Sequence, residues 1–124
     1  MLLLSRIVVL VREYEEALAF YEHVFGCSII HDSISASGER FLHLGFAEGD
    51  AGIWLLESED ESRIGDQTGG QPLMTLATED LIGMHTHLVE QGAPITSPIT
   101  RTPEASFFHC QDLYGNDIVI TQFD

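Results

Sequence analysis

The sequence predicts an α+β fold built from two paired βαβββ modules whose strands form a curved mixed sheet around a central cleft. The 124 residues, 44% of them hydrophobic, suit a single compact domain with a real core. The order strand, helix, strand, strand, strand is legible twice. A shift of about 66 residues lays Gly26 on Gly92 and Val11 on Ala77 and superimposes the two helices. Each half is too small to bury a sheet face by itself, so the halves are expected to pack together and enclose a pocket.

Residues 6 to 12 are aliphatic and β-branched, as in a buried strand. From Glu13 the period changes. Tyr14, Ala17, Leu18, Tyr21, Val24 and Phe25 recur at helical intervals, and Gly26 supplies a left-handed stop. Strands are expected over 27–34, 39–47 and 51–58, with turns at Ser37-Gly38 and Glu48-Gly49-Asp50. The polar stretch from Glu57 to Gln71 loses all periodicity and reads as a linker. A strand over 72–78 then leads to Thr78-Glu79-Asp80, a helix start, and to the stripe Leu81, Met84, His85, Leu88 and Val89. Strands near 94–97, 104–111 and 116–123 complete the second half, with Gly115-Asn116 as a hairpin turn. Module one is thus 1–58, the linker 59–71 and module two 72–124.

The balance of 5 basic and 20 acidic residues gives a formal charge of −15. Nucleic acid and anionic membrane surfaces are excluded as partners, because both require a basic stripe. Cationic small molecules or basic partners fit the charge. The apolar run at Met1–Val11 is interrupted by Arg6, lacks a small-residue cleavage site and falls short of the ~20 residues of a membrane span, so a first strand is the better reading. Two cysteines, Cys27 and Cys110, are too few for a disulfide scaffold, and a cytoplasmic protein is expected. Neither has a basic neighbour in sequence to activate it as a nucleophile.

The helix ending Val24-Phe25-Gly26 and the turn Asp112-Leu113-Tyr114-Gly115-Asn116, with segments around them, resemble the vicinal oxygen chelate superfamily, which includes glyoxalase I, bleomycin-resistance proteins, fosfomycin-resistance enzymes and extradiol dioxygenases. In the first half these are the strand leading to Glu13, Ala17-Leu18-Ala19-Phe20-Tyr21 and Val24-Phe25-Gly26. In the second they are Glu79-Asp80-Leu81, Leu88-Val89-Glu90-Gln91-Gly92-Ala93 and the run Phe108 to Asn116, which is similar to the superfamily's Phe-x-x-Asp-Pro-x-Gly-Asn turn with Leu113 in place of proline. The resemblance implies a fold, and a reaction only weakly.

The resemblance further implies that a divalent metal, where the superfamily's enzymes hold one, would be ligated at Arg6, Trp54, Leu73 and Val119. None of these is an ordinary ligand, since guanidinium, indole and aliphatic groups offer no lone pair that a divalent ion favours. Neighbouring residues do not restore the set; only Asp117 on the last strand carries a suitable donor. No metal is therefore expected at the family positions, a divalent metal held elsewhere stays open, and no other cofactor is expected.

The remaining candidates follow from strand alternation. Arg6 admits three readings: an internal ion pair with an acid such as Asp117, an anchor for a ligand anion, or a frayed end. His43 alternates with Phe41 and is placed on the cleft side, because Leu42, Leu44 and Phe46 make the better helix-facing row. His109 and Phe107 are placed on the pocket-lining face by the resemblance. Each histidine reads as a hydrogen-bonded wall residue, as an acid or base, or as a ligand of a metal off the usual positions. Trp54, with Phe41 and Phe107, offers flat surface to a planar or cationic guest, or simply fills space left by a missing metal. His85 and His87 lie about 200° apart around a helix and cannot chelate together; His23 falls on a wet face, and His31 is uninformative. Glu57-Ser58-Glu59-Asp60-Glu61 reads as a solvated loop or as an acidic rim.

The leading expectation is a metal-independent protein that binds or sequesters a small molecule, similar to the bleomycin-resistance branch, with Arg6, Phe41, His43, Trp54, Leu73, Phe107, His109 and Val119 as its lining. The alternative is a metal-dependent lyase, isomerase or dioxygenase with a non-standard site built from His43, His109 and Asp117 or Glu57. A third reading is a ligand-free structural or regulatory partner domain. A homodimer is expected by analogy with the resembling families.

Overall fold

The computed structural model describes residues 1–47, 49 and 51–123, in two compact units, Met1–Ile64 and Gly65–Asp124. Each is a βαβββ unit with its own four-stranded mixed sheet. The two acidic residues of the expected Glu48-Gly49-Asp50 turn lie outside the described residues.

In the first unit, β1 (Arg6–Val11) leads to helix α1 (Tyr14–Phe25), followed by β2 (Ser28–Ile34), β3 (Arg40–Gly45) and β4 (Gly52–Glu57), in the sheet order β1-β4-β3-β2. β1 runs parallel to β4 and the other pairs are antiparallel. Alternation divides the residues cleanly. Val9, Val11, Leu42, Leu44, Ile53 and Leu55 are buried, as is the α1 stripe Ala17, Leu18, Tyr21 and Val24, and α1 lies against β4. Removing a side chain such as Leu44 would cost roughly 2–5 kcal/mol. The helix starts without a side-chain cap from Glu13; instead Glu57 Oε2, at the end of β4, accepts the Tyr14 amide at 3.0 Å, and Gly26 closes the other end at φ 72°.

The second unit repeats the plan: β5 (Met74–Ala77), α2 (Leu81–Glu90), β6 (Thr100–Arg101), β7 (Ala105–Gln111) and β8 (Asp117–Phe123), in the order β5-β8-β7-β6. Asp80 caps α2 through the Gly83 amide, and Gln122 Oε1 accepts the Leu81 amide. Phe108, Cys110, Ile118 and Ile120 are buried, together with Leu81 and Leu88 of the helix, whereas Val89, which the sequence stripe included, is 54% exposed and lies off the buried face.

The strand expected over 94–97 is reduced to a single bridge, Ile95 with Cys110, and the edge strand is the two-residue β6. Pro94, Pro98 and Pro103 explain this, since each lacks the amide a ladder needs. Between β7 and β8 the chain turns at Asp112–Asn116. The Asp112 carboxylate accepts from the amides of Tyr114 and Asn116 and from Asn116 Nδ2, and both Asp112 and Asn116 are 2% exposed. Residues 58–71 carry turns only, and no helix among the described residues is long and apolar enough to cross a membrane.

Candidate functional site

With its helix covering one face, each sheet leaves the other face to half-buried side chains. In the first unit the strand register aligns Val8, Trp54, His43 and His31 in one row across four strands. Phe41 and Arg6 stand on the same face, two residues from His43 and Val8. The rings form a continuous chain: His31 and His43 lie 5.3 Å apart between centroids, His43 and Trp54 5.4 Å, and Trp54 and Phe41 6.0 Å, each pair tilted.

Arg6 anchors this row from its end. Its Nε donates to His43 Nδ1 at 3.2 Å, and Nη1 donates to the Ser5 carbonyl at 2.7 Å. A guanidinium only donates, so His43 Nδ1 is the acceptor and the ring proton sits on Nε2. Burial first, and then the charges of Arg6 and His31, hold the His43 pKa below the ordinary 6.5. Among the described residues, His43 Nε2 and the indole Nε1 of Trp54 are buried side-chain nitrogens without a hydrogen-bond partner. Glu57, the alternative to Asp117 in the non-standard site expected from sequence, is not on this face. It alternates with Ile53 and Leu55 toward the helix side and is occupied by the Tyr14 amide.

In the second unit Phe107, His109, Asp117, Val119 and Leu73 fall on one face by alternation. Here His109 Nδ1 lies 2.9 Å from Asp117 Oδ1 and 3.0 Å from Oδ2, and the Phe107 ring packs 6.1 Å from it. The carboxylate only accepts, so Nδ1 carries a proton, and in the neutral ring Nε2 is the acceptor. Leu73 lies just before β5, its amide donating to the Asp117 carbonyl. His109 is opposite Val119 as His43 is opposite Trp54, and where the second unit has Asp117 the first has Gly52, leaving Arg6 to engage the histidine.

Elsewhere, His85 packs edge-on against Phe108 at 5.0 Å, as a wall residue, and His23 bonds back to the Ala19 carbonyl. Burial pushes the thiols of Cys27 and Cys110 up to about 12, which leaves neither as a thiolate nucleophile. Sequence reasoning passed over His31. The extra residue at Ile30 shifts the register between Ile29 and His31, which sets His31 directly across from His43, and a bulge of that kind has no clear signature in one sequence.

The model of the Glyoxalase/Bleomycin resistance protein/Dioxygenase superfamily matches residues 3–120. The chain belongs to that superfamily. Among curated proteins, an uncharacterized protein of Shewanella frigidimarina is 26% identical over 115 residues, spanning 89% of this chain and 85% of that one. Among solved structures, TnmS3, an antibiotic binding protein from Streptomyces sp. CB03234, superimposes with a TM-score of 0.84 at 22% identity over 100% of this chain and 98% of its own. A superfamily member from Sphaerobacter thermophilus gives 0.81 at 19% identity, covering 98% of each chain. At these identities the two structures establish the fold alone.

Within the superfamily, the positions that the resemblance assigns to a metal are Arg6, Trp54, Leu73 and Val119, and this donor set does not fit one. No group of three or more His, Cys, Asp or Glu among the described residues is arranged to hold a metal ion.

Proposed function

We propose that this superfamily member binds and sequesters a small planar molecule, laid on the ring face of its first sheet, without a metal or organic cofactor. The observation that carries this reading is the ring row His31, His43, Trp54 and Phe41, because aromatic faces bind flat guests with little loss of side-chain entropy. The likeness to an antibiotic binding protein supports it. The lining on the first unit is Arg6, Phe41, His43 and Trp54; on the second unit, Leu73, Phe107, His109 and Val119 are candidates on its own sheet face. The protein is read as a cytoplasmic homodimer; Ile29, Ile34 and Leu2–Leu4, all exposed, are apolar surface that a second copy would cover. Light scattering at micromolar concentration should give twice the mass of 13.8 kDa, and a monomer would refute the dimer.

A thermal-shift screen of aromatic compounds tests the binding reading. Stabilisation by planar compounds that Trp54→Ala abolishes supports it, and a screen in which only non-aromatic metabolites stabilise the protein overturns it.

The His109–Asp117 pair favours a second reading, an enzyme in which His109 Nε2 takes a proton from a bound substrate, whether as lyase, isomerase or dioxygenase. Elemental analysis of protein purified without chelators separates the two. Near-stoichiometric metal that disappears in His109→Ala would favour the enzyme, and metal-free protein that binds planar compounds favours sequestration.

A further inference from the structure

We propose that the guest of the first sheet presents at its edge a carbonyl or carboxylate oxygen that accepts hydrogen bonds from the N–H groups of His43 and Trp54. This deepens the binding reading and rests on it.

The inference starts from two donors that lack acceptors. His43 is fixed as the Nε2–H tautomer by Arg6, whose Nε occupies the Nδ1 lone pair. An indole can only donate. Both nitrogens are therefore pure donors; both are buried and unpartnered among the described residues, and their residues are directly paired across β3 and β4 with rings 5.4 Å apart. One unpaired buried donor is a cost that folded proteins rarely carry, and two side by side on an otherwise packed sheet face mark a place where an acceptor belongs. The third polar group of the row, Arg6, adds positive charge and no acceptor. A guest with an ammonium or amide N–H at this edge would set donor against donor.

The chain's net charge of −15 steers cations toward the protein as a whole, but the local chemistry of this face selects the opposite. Neither nitrogen is open to bulk water, so a guest's oxygen reaches them as the side chains that shield them shift aside.

Trp54 is the sole tryptophan, so its indole N–H gives a unique nitrogen-15 cross-peak in the intact protein. Three probes share one ring system: 2-naphthoate, 2-acetylnaphthalene and 2-naphthylmethylammonium. The expected result is that the first two move the indole proton downfield and bind at least about fivefold more tightly than the ammonium. Trp54→Phe and His43→Phe, which keep a ring in place, should each weaken the acceptor probes by about fivefold. The ammonium binding as tightly as the acceptors in the unaltered protein would overturn the donor assignment while leaving the ring face intact; so would unchanged acceptor binding in Trp54→Phe alongside loss in Trp54→Ala. Failure of all three probes to bind, or binding that Trp54→Ala leaves untouched, would overturn the ring face and the inference together.

Discussion

His43 and His109 hold matching register positions in the two sheets, opposite Trp54 and Val119, but their Nδ1 atoms engage groups of opposite charge, Arg6 and Asp117. The repeat preserved the residue and reversed its hydrogen-bond polarity. At alkaline pH, long-range nitrogen-15 NMR should find His43 protonated on Nε2 and His109 on Nδ1. The same tautomer at both positions would contradict the arrangement of one ring or the other.

The environment of His43 also couples stability to pH. Its folded pKa is held below the 6.5 of an ordinary imidazole, so between the two values the unfolded chain binds more protons than the folded one. The stability contributed by neutral His43 is complete above about 6.5 and is lost as pH falls through the folded value. Thermal melts from neutral to mildly acidic pH should show a steeper decline in the native protein than in His43→Phe. Parallel curves would mean that His43 protonates in the folded state as readily as in the unfolded.

Asp112 secures the β7–β8 turn by accepting three N–H groups in a buried position. Asp112→Ala leaves those donors unsatisfied and should cost about 3 kcal/mol, read from urea unfolding. Asp112→Asn, which keeps one acceptor oxygen, should lose less. Equal losses would show that packing, rather than hydrogen bonding, sets the turn.

Gly65 and Gly69 separate two demands on a glycine. Both have positive φ, 81° and 67°, but a methyl group on Gly65 would fall on the Tyr114 carbonyl whereas one on Gly69 meets nothing within 4 Å. Gly69→Ala should cost about 1–2 kcal/mol for backbone conformation alone. Gly65→Ala should cost clearly more, and similar unfolding midpoints for the two variants would dismiss the close approach to Tyr114.

Much of the architecture was legible because it rests on local periodicity. Leu42 and Leu44 alternate with Phe41 and His43, and that alone put His43 and Phe41 on the face away from the helix, where the structure has them. The α1 stripe and Gly26 were equally plain. What could not be read depends on contacts between strands distant in sequence. The tautomer of His43 is set by Arg6, 37 residues away, and His31 joins the row through a bulge rather than through alternation. The short β6 was missed for a different reason: three prolines removed amides from a segment whose apolar residues still suggested a strand.

All seven residues of β2 are exposed, and the strand forms one margin of its sheet with Ile29, Ile30 and Ile34 uncovered. Such a margin invites a neighbouring chain to add a strand. The irregularity at Ile30 throws the outer row of amides and carbonyls out of step, and Asp32, held by Arg40 through two hydrogen bonds, puts a carboxylate beside it. The kink that brings His31 into the ring row therefore also makes the sheet a poor template for polymerisation, so straightening β2 by deleting Ile30 would both dismantle the ring row and promote fibre growth.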